Sequence, residues 1–331
     1  MIKGLGITSP YDGYETRYPK LLELSNKQIE KQMWFASEAK VVEEDRLEML
    51  YKLTPLQQKV IKAILPMFRK YEDNVADFWI KVFMEYFLSH ECQEGGVVIA
   101  MMERAVHERF YDKVNVVFGT DTDEHYLSYL QDPVFKERAK WLGETLRGED
   151  KHLVCLVYGL VEGVSLFSMF ALLRSFQANG YNLISTTVKG TKQSAIDELL
   201  HSEYLATAFN YYYAEKGICL EQDGDYFEKL LEQTYNVVEN EKYILTQLIG
   251  EQGSFNGVPI EDYFCLVEKL ADDYFVRLGC SKLPFNVVES KLHSWFITNA
   301  VAYAEPDFFG KGKNKEYEMA WDAESFCGVW K

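Results

Sequence analysis

Apolar residues recur along this chain at steps of three and four positions, which is the spacing of the buried face of an α-helix. One such series contains Leu56, Val60 and Ile64 and continues for further turns. Just before it, Thr54 and Gln57 have the spacing of a capping box, a common helix start. The pattern therefore predicts a long amphipathic helix that begins near residue 55.

Glycine, proline and asparagine divide the rest of the chain into further helices. The pair Gly95-Gly96 separates the first helix from a second, Gly119 ends the second, and Asn179-Gly180 ends a later one. Alternating strand patterns bounded by turn residues are nearly absent. The predicted fold class is therefore all-α, with later helices over about 97–118, 151–178, 191–216, 221–250 and 260–279.

One segment resembles a membrane span by its length. Between His152 and Arg174 the only charged residue is Glu162. A carboxylate at the middle of a bilayer costs about 2.5–3.5 kcal/mol on the insertion scale, and the chain has no second segment of this kind. We therefore interpret the segment as a fully buried core helix and expect no membrane partner.

Composition excludes several classes of partner. The formal net charge of −16 repels nucleic acid and anionic membranes, so neither is expected to bind. The six cysteines contain no CxxC pair, which predicts free thiols and no zinc site. The N-terminal residues lack the pattern of a secretory signal, so we expect a cytoplasmic protein.

Two carboxylate–imidazole pairs have helical spacing. Glu198 and His201 are three residues apart, so both side chains can reach one metal ion. Glu103 and His107 are four residues apart and have the same property. A single pair of this kind is common in helices, so its meaning depends on what the other helices supply.

Two further helices supply one carboxylate each. Glu162 lies at the centre of the apolar helix, where a carboxylate is costly without a partner or a cation. Asp73 lies on an amphipathic helix, and the adjacent Glu72 is the alternative inward residue. Four such helices match the layout of ferritin-like two-metal proteins, and the ligand types suit iron or manganese. The alternative is a helical bundle with solvated acids and core histidines whose hydrogen bonds are satisfied.

The order of these residues resembles that of class I ribonucleotide reductase small subunits. Strings near residues 34–38, 160–176 and 307–318 also resemble that family's N-terminal, third-helix and tail segments. The resemblance spans roughly residues 30 to 320. It rests on Asp73, Glu103, His107, Tyr111, Glu162, Asp197, Glu198 and His201.

The resemblance implies a role for each residue. In this family two metal ions react with oxygen and oxidise a tyrosine, here Tyr111, for use by a catalytic large subunit. Asp197 would hydrogen-bond a ligand histidine, and Trp34 and Tyr317 would relay the electron hole. The partners implied are the large subunit and a second copy of this chain, and the cofactor is two iron ions, with manganese as the alternative. The metal ligands implied are Asp73, Glu103, His107, Glu162, Glu198 and His201.

Two local features leave alternatives open. The family has Glu-x-x-His where this chain has Glu103 four residues before His107, and Arg104 stands at the usual glutamate position. A π-bulge can bring the longer spacing into register, whereas an arginine beside the metals would change the charge of the site. A different alignment places Phe35, rather than Trp34, at the relay position.

The predicted organisation is a ferritin-like helical domain over residues 1–304 and a flexible tail over 305–331 that docks on the large subunit. The predicted function is generation of the radical used for ribonucleotide reduction. The alternatives are another ferritin-like di-metal oxidase, a variant with altered metal content and a different radical, or an iron-storage or scaffold protein. Tyr317 in the tail favours the reductase, because a stand-alone oxidase needs no residue for handing over a radical.

Overall fold

A computed structural model of the chain describes residues 6–10, 13–39 and 41–301. Its α-helices are α1 Pro19–Glu30, α2 Glu43–Tyr51, α3 Pro55–Phe78, α4 Met84–Tyr86, α5 His90–Met101, α6 Glu108–Phe118, α7 Asp123–Tyr126, α8 Pro133–Leu146, α9 Lys151–Leu160, α10 Phe167–Arg174, α11 Ser185–Lys216, α12 Gly224–Ile249, α13 Ile260–Arg277 and α14 Lys291–Trp295. Short π-helical segments at Trp79–Phe83, Met102–His107, Val161–Ser165 and Phe296–Val301 join or extend them. Short 3₁₀ turns lie at Ser128–Gln131, Ser175–Gln177, Leu220–Gln222 and Gly250–Gln252, and β1 (Ser254–Phe255) pairs antiparallel with β2 (Val258–Pro259). The predicted all-α bundle is confirmed.

The start of α3 follows the predicted capping box. The Thr54 hydroxyl accepts a hydrogen bond from the Gln57 amide, and the Gln57 side chain accepts one from the Thr54 amide at 2.8 Å. Together these bonds satisfy two donors that a helix start leaves without partners. The helix continues through Pro66 as far as Phe78, so it carries residues 72 and 73 within one regular element.

The predicted break at Gly95 and Gly96 was wrong. Both glycines lie inside α5, which starts at His90 and runs through the π-helical segment into α6. A Cβ on Gly95 would lie 2.1 Å from the Tyr204 hydroxyl oxygen, so the glycine allows α11 to approach closely. Gly119 ends α6 in the left-handed conformation, as predicted.

The apolar segment forms the centre of the bundle. The helix Lys151–Gln177 is long and apolar enough to cross a membrane, but 94% of its most apolar window is buried inside the protein. It packs against α11, α12 and α13, which cover it on several sides. This is the predicted buried core helix, and it places Glu162 in the interior.

The described cysteines are free thiols, as predicted; they are Cys92, Cys155, Cys219, Cys265 and Cys280. The boundary near residue 304 and the tail 305–331 lie outside the described residues, so the domain division stays a prediction.

Candidate metal centre

Six ionisable side chains meet in the interior of the bundle, and none is more than 1% exposed. They project from four helical elements: α3, the π-helical segment after α5, the π-helical segment after α9, and α11. The six residues are Glu72, Glu103, His107, Glu162, Glu198 and His201.

The first half of this cluster surrounds His107. Its Nδ1 atom lies 3.4 Å from Oε2 of Glu72 and 3.3 Å from Oε2 of Glu103. The same nitrogen lies 3.3 Å from Oε1 of Glu198. One nitrogen and three carboxylates therefore converge on one point.

The second half surrounds His201. Its Nδ1 atom lies 2.7 Å from Oε1 of Glu103 and 3.2 Å from Oε2 of Glu198. Oε2 of Glu162 lies 3.8 Å from the same nitrogen. This half again offers one imidazole and three carboxylates.

Glu103 and Glu198 belong to both halves. Within each half, the candidate ligand atoms lie within 4.8 Å of one another. A carboxylate has two oxygens and can bind two cations, so these two residues can bridge neighbouring ions. The arrangement provides two adjacent cation positions.

Glu72 takes the place that we predicted for Asp73. The Asp73 carboxylate is 28% exposed and pairs with Arg69 at 3.2 Å and Arg104 at 3.0 Å. Consecutive residues of an α-helix point about 100° apart, so only one of the two can face the bundle interior. Burial of Val75 on the same helix is consistent with the rotation that turns Glu72 inward.

The longer spacing from Glu103 to His107 is accommodated by the predicted π-helical geometry. Residues Met102–His107 form a π-helical segment, whose wider turn brings residues four apart onto one face. Arg104 points outward, with its guanidinium 3.0 Å from Asp73 and 3.0 Å from Asp77. Arg104 therefore does not contribute its charge to the inner face of the cluster.

Asp197 links the first half to a tryptophan. Its Oδ2 atom accepts hydrogen bonds from Nε2 of His107 at 2.9 Å and from the Trp34 indole at 2.8 Å. Gln28 donates to the other oxygen at 3.0 Å, a contact that no motif or spacing in the sequence predicts. Trp34 is buried, whereas Phe35 is 57% exposed, so Trp34 rather than Phe35 is the residue that contacts the cluster through Asp197. Its role as a relay stays a prediction.

Tyr111 is fully buried one helical turn after His107. Its ring stacks on Phe68 with a centroid distance of 4.8 Å and meets the edge of Phe110 at 5.0 Å. Burial, with a further contribution from the charge of Glu72, raises the pKa of the Tyr111 phenol well above its usual value. The side chain therefore lies in an apolar pocket, close enough to the cluster for the charge of Glu72 to affect the phenol.

Comparison with known proteins identifies the family. The model of the family described as ribonucleotide reductase, small chain, matches residues 12–290. The chain belongs to this family. A comparison with curated protein sequences finds no match.

Solved structures of small chains of ribonucleotide reductase share this fold. The R2 subunit from Clostridium botulinum has a TM-score of 0.79 at 14% identity, over 90% of this chain and 95% of that one. Dimanganese(II)-NrdF from Streptococcus sanguinis has a TM-score of 0.72 at 15% identity, over 88% and 100%. The Rnr4 homodimer from Saccharomyces cerevisiae has a TM-score of 0.69 at 16% identity, over 86% and 87%. These solved structures show the shared fold. The family match confirms the predicted small-subunit family and its oxidoreductase class.

The chemistry of this ribonucleotide reductase small chain fits a pair of divalent cations. Burial and the charge of neighbouring carboxylates raise the pKa of Glu72 and of Glu162 well above the usual value. Two divalent ions would neutralise the four carboxylates and leave both imidazoles neutral. Oxygen ligands with one imidazole per ion suit iron or manganese.

Polar atoms without partners support the same interpretation. Both carboxylate oxygens of Glu72 and Oε2 of Glu103 have no hydrogen-bond partner among the described residues. The same holds for Nδ1 of His107, Oε2 of Glu162 and Oε1 of Glu198. Buried polar atoms normally find partners, so a concentration of unpartnered ligand atoms indicates a site built for cations. Tyr317, the other predicted relay residue of this family member, lies outside the described residues.

Proposed function

We propose that the chain is the subunit in which a di-metal site oxidises Tyr111 to a radical, which a catalytic large subunit then uses to reduce ribonucleotides. The single observation that carries the proposal is the six-residue cluster, with its ligand atoms facing one another, beside the buried Tyr111. Membership of the ribonucleotide reductase small-chain family supports it.

The residues that would hold the ions follow from the geometry. Glu72 and His107 would bind one ion, Glu162 and His201 the other, and Glu103 and Glu198 both. Iron or manganese bound there would supply the oxygen-dependent oxidation of Tyr111. The dimanganese protein among the similar structures supports manganese as the alternative to iron.

The protein side chains orient the ligands and protect the oxidised tyrosine. Asp197 holds the Nε2 proton of His107, so the lone pair of Nδ1 faces the carboxylates of the cluster, where an ion would bind. Trp34 stacks against the His107 ring at a centroid distance of 5.7 Å and donates to the same carboxylate. These contacts form a continuous path from the cluster to Trp34. The burial of Tyr111 excludes water from its ring.

The remaining partners are proposed from the family. Tyr317 would pass the hole to the large subunit from the tail 305–331, in a cytoplasmic complex. A homodimer of this chain is supported by the homodimer found for the similar yeast protein. The apolar core and the acidic charge give no support to nucleic acid or a membrane as partner.

An electron paramagnetic resonance experiment tests the proposal. Metal-free protein is loaded with Fe²⁺ without oxygen and then exposed to oxygen, for the parent, Tyr111→Phe and Tyr158→Phe. Tyr158 is the matched control, because it is also buried and its hydroxyl also lacks a partner among the described residues. A tyrosyl signal lost only in Tyr111→Phe is expected. The proposal would be contradicted if the parent binds two iron ions but forms no radical, and if it also forms none when loaded with manganese instead of iron.

A further inference from the structure

A second tryptophan contacts the opposite half of the cluster. The Trp79 indole Nε1 donates a hydrogen bond to Oε1 of Glu162 at 2.7 Å, and both side chains are 0% exposed. Trp79 opens the π-helical segment that follows α3, so it reaches Glu162 from another helix. A hydrogen bond to a buried carboxylate is among the stronger kinds in proteins.

This bond gives the two oxygens of Glu162 different surroundings. Oε1 is occupied by the indole, and Oε2 faces His201 Nδ1 at 3.8 Å without a hydrogen-bond partner among the described residues. By contrast, both oxygens of Glu72 lack such partners. Glu162 therefore presents one free oxygen to the second position, whereas Glu72 can present two to the first.

The indole is held firmly by its neighbours. Its ring packs on Phe83 at a centroid distance of 4.6 Å and on Phe78 at 5.3 Å. The ring edges of Tyr204 and His201 lie at 6.0 and 6.3 Å. A donor that is held by packing fixes the orientation of the carboxylate it contacts.

The two halves also differ in how their histidines are supported. Nε2 of His107 donates to Asp197, but Nε2 of His201 has no hydrogen-bond partner among the described residues. The orientation of the second half therefore depends more on Glu162 and its indole donor.

We infer that Trp79 is a positioning residue that holds Glu162 as a one-oxygen ligand and thereby sets the affinity of the cation position built on Glu162 and His201. The inference rests on the proposed function in one respect, because it requires the cluster to bind two ions. It concerns how the second ion is held, which family membership alone does not specify.

The inference is tested by titrating metal-free protein with Mn²⁺ and measuring the concentration of free Mn²⁺ from its electron paramagnetic resonance signal. The parent is expected to bind two ions, whereas Trp79→Phe binds the first with unchanged affinity and the second about ten- to hundredfold more weakly, the usual cost of losing such a partner. Phe83→Leu is the matched control, because it trims the same packing and keeps the indole N–H. It is expected to retain both affinities.

A second measurement separates positioning from general packing. The visible absorption of bound Co²⁺ depends on coordination number, so Trp79→Phe, which frees Oε1 of Glu162, is expected to change the spectrum while Phe83→Leu does not. Equal affinities and spectra in Trp79→Phe and parent would overturn the inference, and so would equal losses in both variants. Failure of the parent itself to bind two ions would instead contradict the proposed function.

Discussion

Two buried sites that contain histidine meet the same apolar helix and differ in how their polar atoms are satisfied. His152 lies near the start of this helix, and Glu162, a member of the six-residue cluster, lies about ten residues, or some 15 Å, further along. Nδ1 of His152 lies 2.7 Å from the Tyr86 hydroxyl, and Nε2 lies 2.8 Å from that of Tyr213. The ring nitrogens of His152 are therefore both satisfied inside the protein. In the cluster, several ligand atoms lack a protein partner.

The difference separates a structural histidine from a ligand. Burial lowers the pKa of His152 to about 4, so the imidazole is neutral at neutral pH and uses one nitrogen as donor and one as acceptor. Two tyrosine hydroxyls suit that requirement. In the cluster, carboxylates surround each imidazole and raise the pKa of His107 and of His201 despite their burial. Such an excess of negative charge is stable only with protons or cations.

The largest effect is expected from removing a carboxylate shared by both halves. Glu198→Ala should abolish tight binding at both positions, a greater loss than the about ten- to hundredfold typical of an outer partner. His152→Gln should still bind two ions, because no atom of His152 faces the cluster. Mass spectrometry gives the metal content of each variant, and titration with Mn²⁺ gives its affinity at each position. Loss of metal in His152→Gln would remove the distinction between the two sites.

A second effect concerns pH and the structural site alone. The pKa of His152 is about 4 in the folded chain and 6.5 as the ordinary value, so protonation favours the unfolded chain. Its contribution to stability is therefore present above pH 6.5 and is lost as the pH falls towards 4, by about 3 kcal/mol. The free energy of unfolding in urea is measured for the parent and His152→Gln at one protein concentration. It should fall less steeply between pH 6.5 and 4 in the variant. Parallel curves of unfolding free energy against pH would contradict the lowered pKa assigned to His152.

Local signals in the sequence were sufficient for much of the cluster. Glu198 and His201 share a helical face, and Glu162 is a lone charge in an apolar helix, so each is recognisable without tertiary information. The order of ligands along the chain predicted the ferritin-like bundle. The spacing of Glu103 to His107 left a π-helical turn as one alternative, and the structure has that turn.

The remaining features depend on packing between distant helices. Gly95 looks like a helix break in the sequence, but it lies inside a helix because Tyr204 needs the space. Trp79 was one aromatic residue among many, and only the approach of another helix brings it to Glu162. Neither contact leaves a periodic pattern in the chain, so sequence reasoning had no means of finding it.

The smallest expected effect is that of Asp73→Asn, and its comparison with Glu72→Gln tests which of two adjacent carboxylates faces the cluster. Glu72→Gln should weaken the position beside His107 by more than the about ten- to hundredfold typical of an outer partner, because a ligand carboxylate oxygen is replaced by a neutral amide. Asp73→Asn should leave both Mn²⁺ affinities unchanged. It should cost only about 0.2–1 kcal/mol in unfolding free energy, because its ion pairs with Arg69 and Arg104 lie at the surface.

The reverse pattern, with Asp73→Asn weakening Mn²⁺ binding, would mean that α3 is rotated by about 100°, one residue along the helix. Trp79 lies seven residues after Glu72 and thus on the same face, so that rotation would also move Trp79 away from Glu162. One pair of substitutions therefore tests the helix phase on which both halves of the cluster depend.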